Sequence, residues 1–338
     1  MKTLDIVHAV AADERSARKV CDDALAVVES SDGKINAFTA RTADRARAEA
    51  DAIDAMRGEV LPPLAGLPYA VKNLFDVEGL TTLAGSIINR DRPTASEDAV
   101  LIRRLKDTGA VLLGALNMDE FAYGFTTENS HYGPTRNPRD ITRTAGGSSG
   151  GSGAAVASGQ VPLALSSDTN GSIRVPSSLC GVWGLKPTFG RLSRRGTYPF
   201  VHSLDHLRPL ADCVEGLALS YDAMQGPDDL DPGCQALRVQ PTMGALDQGI
   251  SELRIGTLGG GRDNAGPAAR TALELVAGIF DSSAEVIWPN AEAARAAAFI
   301  VTASEGGSLH IEDLRRRPQN FEPLSVHRFM AGTLQPVE

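Results

Sequence analysis

The chain has 338 residues, 42% of them apolar, enough to bury a large core in one big domain or two. A formal net charge of −9 and a pI near 5.3 argue against a general nucleic-acid surface, and no run of about 18 uninterrupted apolar residues offers a membrane span. The opening MKTLDIVHAVAADERSARKV has no continuous apolar stretch and predicts no secretory leader.

In chain order, residues 13–30 and 41–57 read as helices. The second, RTADRARAEADAIDAM, carries a charged outer face and one apolar side. Pro62, Pro63, Gly66 and Pro68 break the chain before a short apolar strand, Tyr69-Ala70-Val71, which delivers Lys72. A lysine there is either a strand-end side chain reaching back to solvent or a functional group. EDAVLIRRLKDTG then reads as a helix stopped by Gly109. Val111 to Leu113 follow as a strand buried on both faces, the pattern of an α/β sheet. Asn117 to Gly124 fall near that strand's end, where α/β sites usually sit. Gly133, Pro134, Asn137 and Pro138 mark a loop into a glycine- and serine-rich turn.

After that turn the pattern predicts a helix over Ser152 to Ser158 and a strand over Val161 to Leu165. A second small-residue turn, Asp168-Thr169-Asn170-Gly171-Ser172, closes the strand. Trp183 and Phe189 are expected to pack in the core or at a loop base. Asp228 to Gly233 reads as a turn-rich linker. Leu253 to Leu258 and Glu285 to Trp288 read as strands around a helix at Pro267 to Phe280, all expected to extend the same sheet. The triple glycine at 259–261 lacks the G-x-G-x-x-G spacing and reads as a flexible turn. No internal repeat of 20–50 residues stands out. We expect one domain: N-terminal helices over 1–60, a catalytic core over 61–215, and further α/β elements over 216–338. Cys21, Cys180, Cys213 and Cys234 lack metal-like spacing and read as reduced thiols of a cytoplasmic protein.

Three chemistries compete for the first turn. A P-loop would need Lys and then Ser or Thr after its second glycine, but Gly151 is followed by Ser152 and Gly153. A G-x-S-x-G elbow fits twice, at Gly146 to Gly150 and at Gly147 to Gly151. It wants an acid and a histidine downstream, and His202, His206, His310 and His327 are available. The third option uses no histidine: serines activated by a lysine. The residues alone leave the last two open.

The composite of GGSSGGSGAAVASG, SDTNGSIRVPSSLCGVWGLKPT and the upstream LAGLPYAVKNLFDVEGLTTLAGS closely resembles the amidase signature family of serine amidohydrolases, from the N-terminus to residue 338. Within it, INAFTARTADRARAEADAID, NMDEFAYGFTTENSHYGPTRNP and RLSRRGTYPFVHSLDHLRPLAD look most like members that cleave a small urea-like amide and occur with a small partner subunit. The resemblance implies an α/β fold, with a mixed central sheet covered by helices on both faces. It implies Ser172 as nucleophile, Ser148 as a bridging serine on a cis Gly147–Ser148 peptide, and Lys72 as the base. The N–H groups of Thr169, Asn170, Gly171 and Ser172 would form the oxyanion hole. Ser149, Asp168 and Arg174 would support it, and Tyr123, Thr126 and Asn170 are candidates for substrate contact.

The resemblance further implies a small-molecule substrate with no metal or cofactor, and no nucleic acid or membrane partner. It also implies a homo-oligomer or heterotetramer with a small accessory subunit. Two departures stand out. Many members carry Gly-Gly-Ser where this chain has Asn170-Gly171-Ser172; the Asn either hydrogen-bonds a polar substrate or tolerates a left-handed backbone. The chain also stops at Glu338, where the family fold normally continues. On that reading further strands and one pocket wall are missing, and the chain alone is expected to be poorly stable or inactive. The amidase subunit of a tRNA-dependent amidotransferase shares every catalytic residue and remains an alternative, although Tyr123 and Phe125 replace usually smaller residues there. An inactive truncated homologue that only binds a partner is the other.

Overall fold

The computed structural model describes residues 2–259, 265–280 and 284–335. Helices α1 (Thr3–Ala11), α2 (Ala17–Ile35) and α3 (Ala43–Asp54) come first, with strand β1 (Phe38–Arg41) between the last two. Helix α1 lies outside the expected helices. Its Thr3, Ile6 and Val10 are buried, and the Asp212 carboxylate accepts from the Thr3 N–H at 3.0 Å and its hydroxyl at 2.6 Å. Strand β2 (Pro68–Lys72), helix α4 (Val100–Asp107) and strand β3 (Val111–Leu116) follow in the expected order. Where a loop was expected stand two short antiparallel hairpins, β4 (Glu128–Asn129) with β5 (Gly133–Pro134), and β6 (Arg136–Asn137) with β7 (Asp140–Thr144).

Helix α5 (Gly150–Ala157) starts inside the serine turn, and strand β8 (Leu163–Asp168) runs on to Asp168. Then come α6 (Arg174–Cys180), β9 (Trp183–Gly184), β10 (His206–Ala211) and α7 (Val214–Met224). One six-stranded mixed sheet runs β1-β3-β2-β8-β10-β9, parallel at β3-β2-β8 and antiparallel at the other pairs. Every residue of β2, β3 and β8 is buried, as the apolar runs imply. Gly114 permits the close approach of β1, since a Cβ there would sit 2.2 Å from the Ala40 carbonyl oxygen.

The last third departs from expectation. Strands β11 (Gly256–Leu258) and β12 (Ala284–Val286), around α8 (Pro267–Ile279), form their own two-stranded parallel sheet. They do not join the central sheet, whose outermost strands are β1 and β9. Leu258, Val286, Ile287 and Trp288 are all more than half exposed. Gly260 and Gly261 of the triple glycine lie outside the described residues. Trp183 is 55% exposed and not core, because it sits on the edge strand β9; Phe189 is half-buried against His206 and Arg194. The Asp228–Gly233 stretch is a turn, but it is tied down by Arg195–Asp228 and Arg194–Asp231 ion pairs. Among the described residues no helix is long and apolar enough to cross a membrane.

Helices α9 (Ala291–Leu309), α10 (Ile311–Arg316) and α11 (Val326–Gly332) return to the central sheet's side loops. Buried Glu120 fastens them there, accepting from the Glu322 N–H at 2.7 Å and the Ser325 hydroxyl at 2.9 Å. Beside it an aromatic cluster of Phe121, Tyr198, Phe321 and Phe329 surrounds His310, whose ring centroid lies 4.0 Å from that of Phe121. Among the described residues neither imidazole nitrogen has a partner, and burial pushes the ring down from 6.5 to about 4. The folded protein therefore binds fewer protons here than the unfolded chain. The stability due to neutral His310 should be complete above pH 6.5 and lost as pH falls to about 4, a loss of about 3 kcal/mol. Urea unfolding at several pH values checks this: His310→Phe should flatten the slope between those limits, and an unchanged slope would contradict it.

Candidate active site

Strand β2 ends on Lys72, which is fully buried between β3 and β8. Its Nζ donates to Ser148 Oγ at 2.6 Å and to Ser167 Oγ at 2.9 Å. Burial lowers Lys72 from 10.5 to about 7, although the charges of Asp119, Asp205 and Asp168 pull it back up. Ser148 comes from the turn before α5, and the Gly147–Ser148 peptide is cis. Ser149 is equally buried and donates its hydroxyl to the Ser167 carbonyl at 3.2 Å. Together these contacts tie the serine turn to the C-terminal end of β8.

The second turn is built on Asp168. Its Oδ1 accepts the Gly171 N–H at 2.8 Å, and its Oδ2 accepts the N–H groups of Ile173 at 3.1 Å and Arg174 at 3.4 Å. The Arg174 guanidinium grips both carboxylate oxygens, at 3.0 and 2.9 Å. Burial alone would raise Asp168, but Arg174 and these N–H groups outweigh it and hold the carboxyl low. The expected supports thus meet. Gly171 differs from expectation as an oxyanion donor, since its N–H is already given to Asp168. The N–H groups of Thr169, Asn170 and Ser172 have no acceptor among the described residues. Ser172 is 3% exposed, and its hydroxyl makes no hydrogen bond among the described residues.

Asn170 is not left-handed; the positive φ of this turn, +141°, belongs to Gly171. The Asn170 amide instead donates to the Thr302 hydroxyl of α9 at 2.8 Å. Tyr123 is half-buried, its ring 4.9 Å from Phe200 and 5.0 Å from Phe329, with the Arg328 guanidinium 5.5 Å above it. Tyr123 and Phe125 line a groove of about 640 Å³ with Phe299, Ile300 and Arg328. A Cβ on Gly171 would touch the Phe125 ring at 3.6 Å, so the groove abuts the Ser172 turn. Thr126 and Asn170 do not line it. Thr126 presents its backbone to Gly147 and accepts the Thr144 hydroxyl at 2.5 Å.

Two carboxylates were missed by the sequence reading. Asp119 donates its N–H to the Ser148 carbonyl at 3.2 Å and accepts the Thr127 N–H on Oδ1 at 2.9 Å. Among the described residues its Oδ2 has no partner within hydrogen-bonding geometry; it faces Gly147, where a Cβ would lie 2.1 Å away, and the nearby Thr126 N–H. Burial raises Asp119 to about 6, against the pull of the Thr127 N–H and Lys72. Asp205 accepts the Thr169 hydroxyl at 2.5 Å and the N–H groups of Phe200 and Val201 at 2.8 and 2.9 Å. Asp119 had a signal, its place in the Asn117 to Gly124 stretch expected near a strand end, whereas nothing local marked Asp205.

The histidine elbow finds no footing. His202 and His327 are exposed, His206 meets Lys186 and the Leu204 carbonyl, and His310 sits in the aromatic cluster. Among the described residues no histidine nitrogen reaches a serine hydroxyl, and no group of acids, histidines and cysteines could hold a metal ion.

A buried lysine bonded to a serine, beside a second serine on a turn of free N–H groups, is the equipment of a serine amidohydrolase. The chain belongs to the amidase family: the family model described as Amidase matches residues 20–305. It is 72% identical to AtzE, a 1-carboxybiuret hydrolase subunit of Pseudomonas sp. (strain ADP), over 100% of this chain and 74% of that protein. It is 43% identical, over 88% of this chain and 62% of the relative, to a glutamyl-tRNA(Gln) amidotransferase subunit of Anaeromyxobacter dehalogenans (strain 2CP-C). A solved structure of a vestigial protein complex, described as revealing the origins of an s-triazine catabolic enzyme, matches with a TM-score of 0.98. That match is 72% identical and covers 100% of this chain and 74% of the other.

Asp168→Asn tests the turn. It should lower unfolding stability by about 1–3 kcal/mol, because at least one buried N–H group or Arg174 loses its acceptor. Chemical denaturation measures this, and a variant as stable as the parent would contradict the keystone role of Asp168.

Proposed function

We propose that this chain is a serine amidohydrolase that cleaves the terminal amide of 1-carboxybiuret, giving urea-1,3-dicarboxylate and ammonia. The observation that carries the reading is the fully buried 2.6 Å Lys72–Ser148 contact beside the Ser172 turn, in a chain 72% identical to a 1-carboxybiuret hydrolase subunit. Neutral Lys72 takes the Ser148 proton as Ser148 takes that of Ser172, and Ser172 Oγ attacks the amide carbon. The oxyanion is met by the N–H groups of Thr169, Asn170 and Ser172, each such donor being worth about 3–4 kcal/mol of barrier. Collapse returns the proton to the leaving nitrogen, releases ammonia and leaves an acyl-serine. Water, deprotonated through the same relay, then hydrolyses that ester.

The groove beside Phe125 has the flat aromatic walls that a planar urea chain fits, and Arg328 offers a cation for the substrate carboxylate. Tyr123, Thr126 and Asn170 remain our candidates for substrate contact, Tyr123 through that groove. Ser149, Asp168 and Arg174 hold the turns and Gly171 shapes one of them; no metal or cofactor enters. We place the chain in the cytoplasm, with a small accessory subunit in a homo-oligomer or heterotetramer. Four unpaired cysteines and the complex formed by its structural relative support this. Ammonia release from 1-carboxybiuret, assayed on the purified chain with and without such a subunit, tests the reading: release in either assay supports it, and release only from glutamine in the presence of charged tRNA would point to an amidotransferase component instead.

Ser172→Ala should abolish both turnover and the acyl-enzyme seen by intact-mass spectrometry. Lys72→Arg should lose as much activity as Lys72→Ala, about 100-fold or more, since a guanidinium cannot accept the proton. Substantial activity in either Ser172→Ala or Lys72→Arg would reassign the residue.

The pH profile gives a separate check. Activity should rise with pH through about 7 and then level, because the neutral amine is the working form. The Asp119 charge favours protonated Lys72, so Asp119→Asn should move the midpoint of kcat/KM to lower pH. A lower plateau with an unmoved midpoint would make Asp119 merely structural.

A further inference from the structure

Opposite residues in an antiparallel pair share a face, so Ser166 and Asp168 of β8 lie on one face with Arg208 and His206 of β10. Ser167, which meets Lys72, points to the other face. Arg208 is fully buried, and its Nη2 donates to the Pro187 carbonyl. Among the described residues its Nε and Nη1 have no partner. A guanidinium in this state is costly unless an anion or further acceptor compensates it. The carboxylate whose charge acts on it, Asp168, is occupied by Arg174 and its own turn.

Pro187 also lines a groove of about 800 Å³ between the 185–188 segment and α7. Lys186, Arg191 and Arg238 line it with no Asp or Glu, on a chain whose net charge is −9. Lys186 lies 3.3 Å from His206 Nε2, and Arg191 is bonded to Gln225 and to the Tyr221 hydroxyl. The Arg238 guanidinium has no acceptor among the described residues. Burial and the charges of Arg208 and Arg174 push Lys186 below its ordinary value, a sign of cations crowded together. Apolar side chains complete the walls, including Leu185, Val214, Leu217 and Leu246.

We propose that this groove binds a small organic anion with an apolar body, its carboxylate or phosphate head paired by the lining cations Lys186, Arg191 and Arg238, with Arg208 behind the wall at Pro187 adding positive charge. The hydrocarbon part lies on Leu185, Val214, Leu217 and Leu246. This site is separate from the Ser172 turn, so its test does not depend on the hydrolase reading.

The probes are hexanoate, hexyl phosphate, inorganic phosphate and hexylamine, titrated into the 338-residue protein by calorimetry. One or both hexyl anions should bind at a single site, at least about ten-fold more tightly than inorganic phosphate, and hexylamine should not bind. The exposed-residue double variant Lys186→Gln/Arg238→Gln should weaken that binding about ten-fold or more without loss of thermal stability. Arg208→Met should weaken it too; if that variant does not fold, the double variant carries the test. The proposal is overturned if neither hexyl anion saturates the protein by about 10 mM. Unchanged affinity in the double variant, or equal binding of hexylamine, would overturn it as well.

Discussion

Everything in the candidate site depends on a lysine that ends a strand with none of its side chain exposed to solvent. Lys72 is fully buried at the end of β2, and the serines at 148 and 167 are its two hydrogen-bond partners. Burial disfavours the ammonium form and brings the amine to about 7, so a group that is ordinarily a cation becomes a usable base near neutrality. The rest of the central fold keeps this arrangement dry and in register. Strands β3 and β8 flank β2, helix α5 carries Ser148 at its approach, and β8 ends one residue beyond Ser167, on Asp168.

Three aspartates around the lysine show how environment divides one residue type into different tasks. Asp168 is gripped by Arg174 and by backbone N–H groups, stays ionised, and shapes the Ser172 turn. Asp205 clamps Thr169 to the loop at Phe200 and Val201, with burial raising its carboxyl. Asp119 has one oxygen bonded and one facing Gly147, and burial raises it to about 6. Of the three, among the described residues, Asp168 alone pairs with a guanidinium. The other two sit closer to the neutral form, which limits how strongly they hold Lys72 protonated.

Read from the residues alone, only those parts of the site whose partners lie within a short stretch of chain were legible; the pairing of Lys72 with Ser148, 76 residues apart, came with the family resemblance. Asp168 and Arg174 are six residues apart, and the two small-residue turns announced themselves through glycine and serine. Asp119 with Ser148, Thr169 with Asp205, Lys72 with Ser167 and Asn170 with Thr302 are contacts between distant segments, and no local pattern encodes them. Hydropathy also ended β8 too early. Ser166, Ser167 and Asp168 look like a loop, yet the strand continues through them because Lys72 and Arg174 satisfy two of their side chains. The fold class was legible in the apolar runs of β2, β3 and β8. The fate of β11 and β12 was not, because a strand pattern does not say which sheet a strand joins.

The central claim is that Lys72 is a neutral base near physiological pH. Its most direct test is NMR of protein labelled with ¹³C at lysine Cε, with Lys72→Ala used to assign the resonance. The account predicts a single resonance titrating near pH 7, well below an ordinary lysine's 10.5. A Lys72 signal that stays in the charged form to pH about 10, as a free lysine's does, would contradict it.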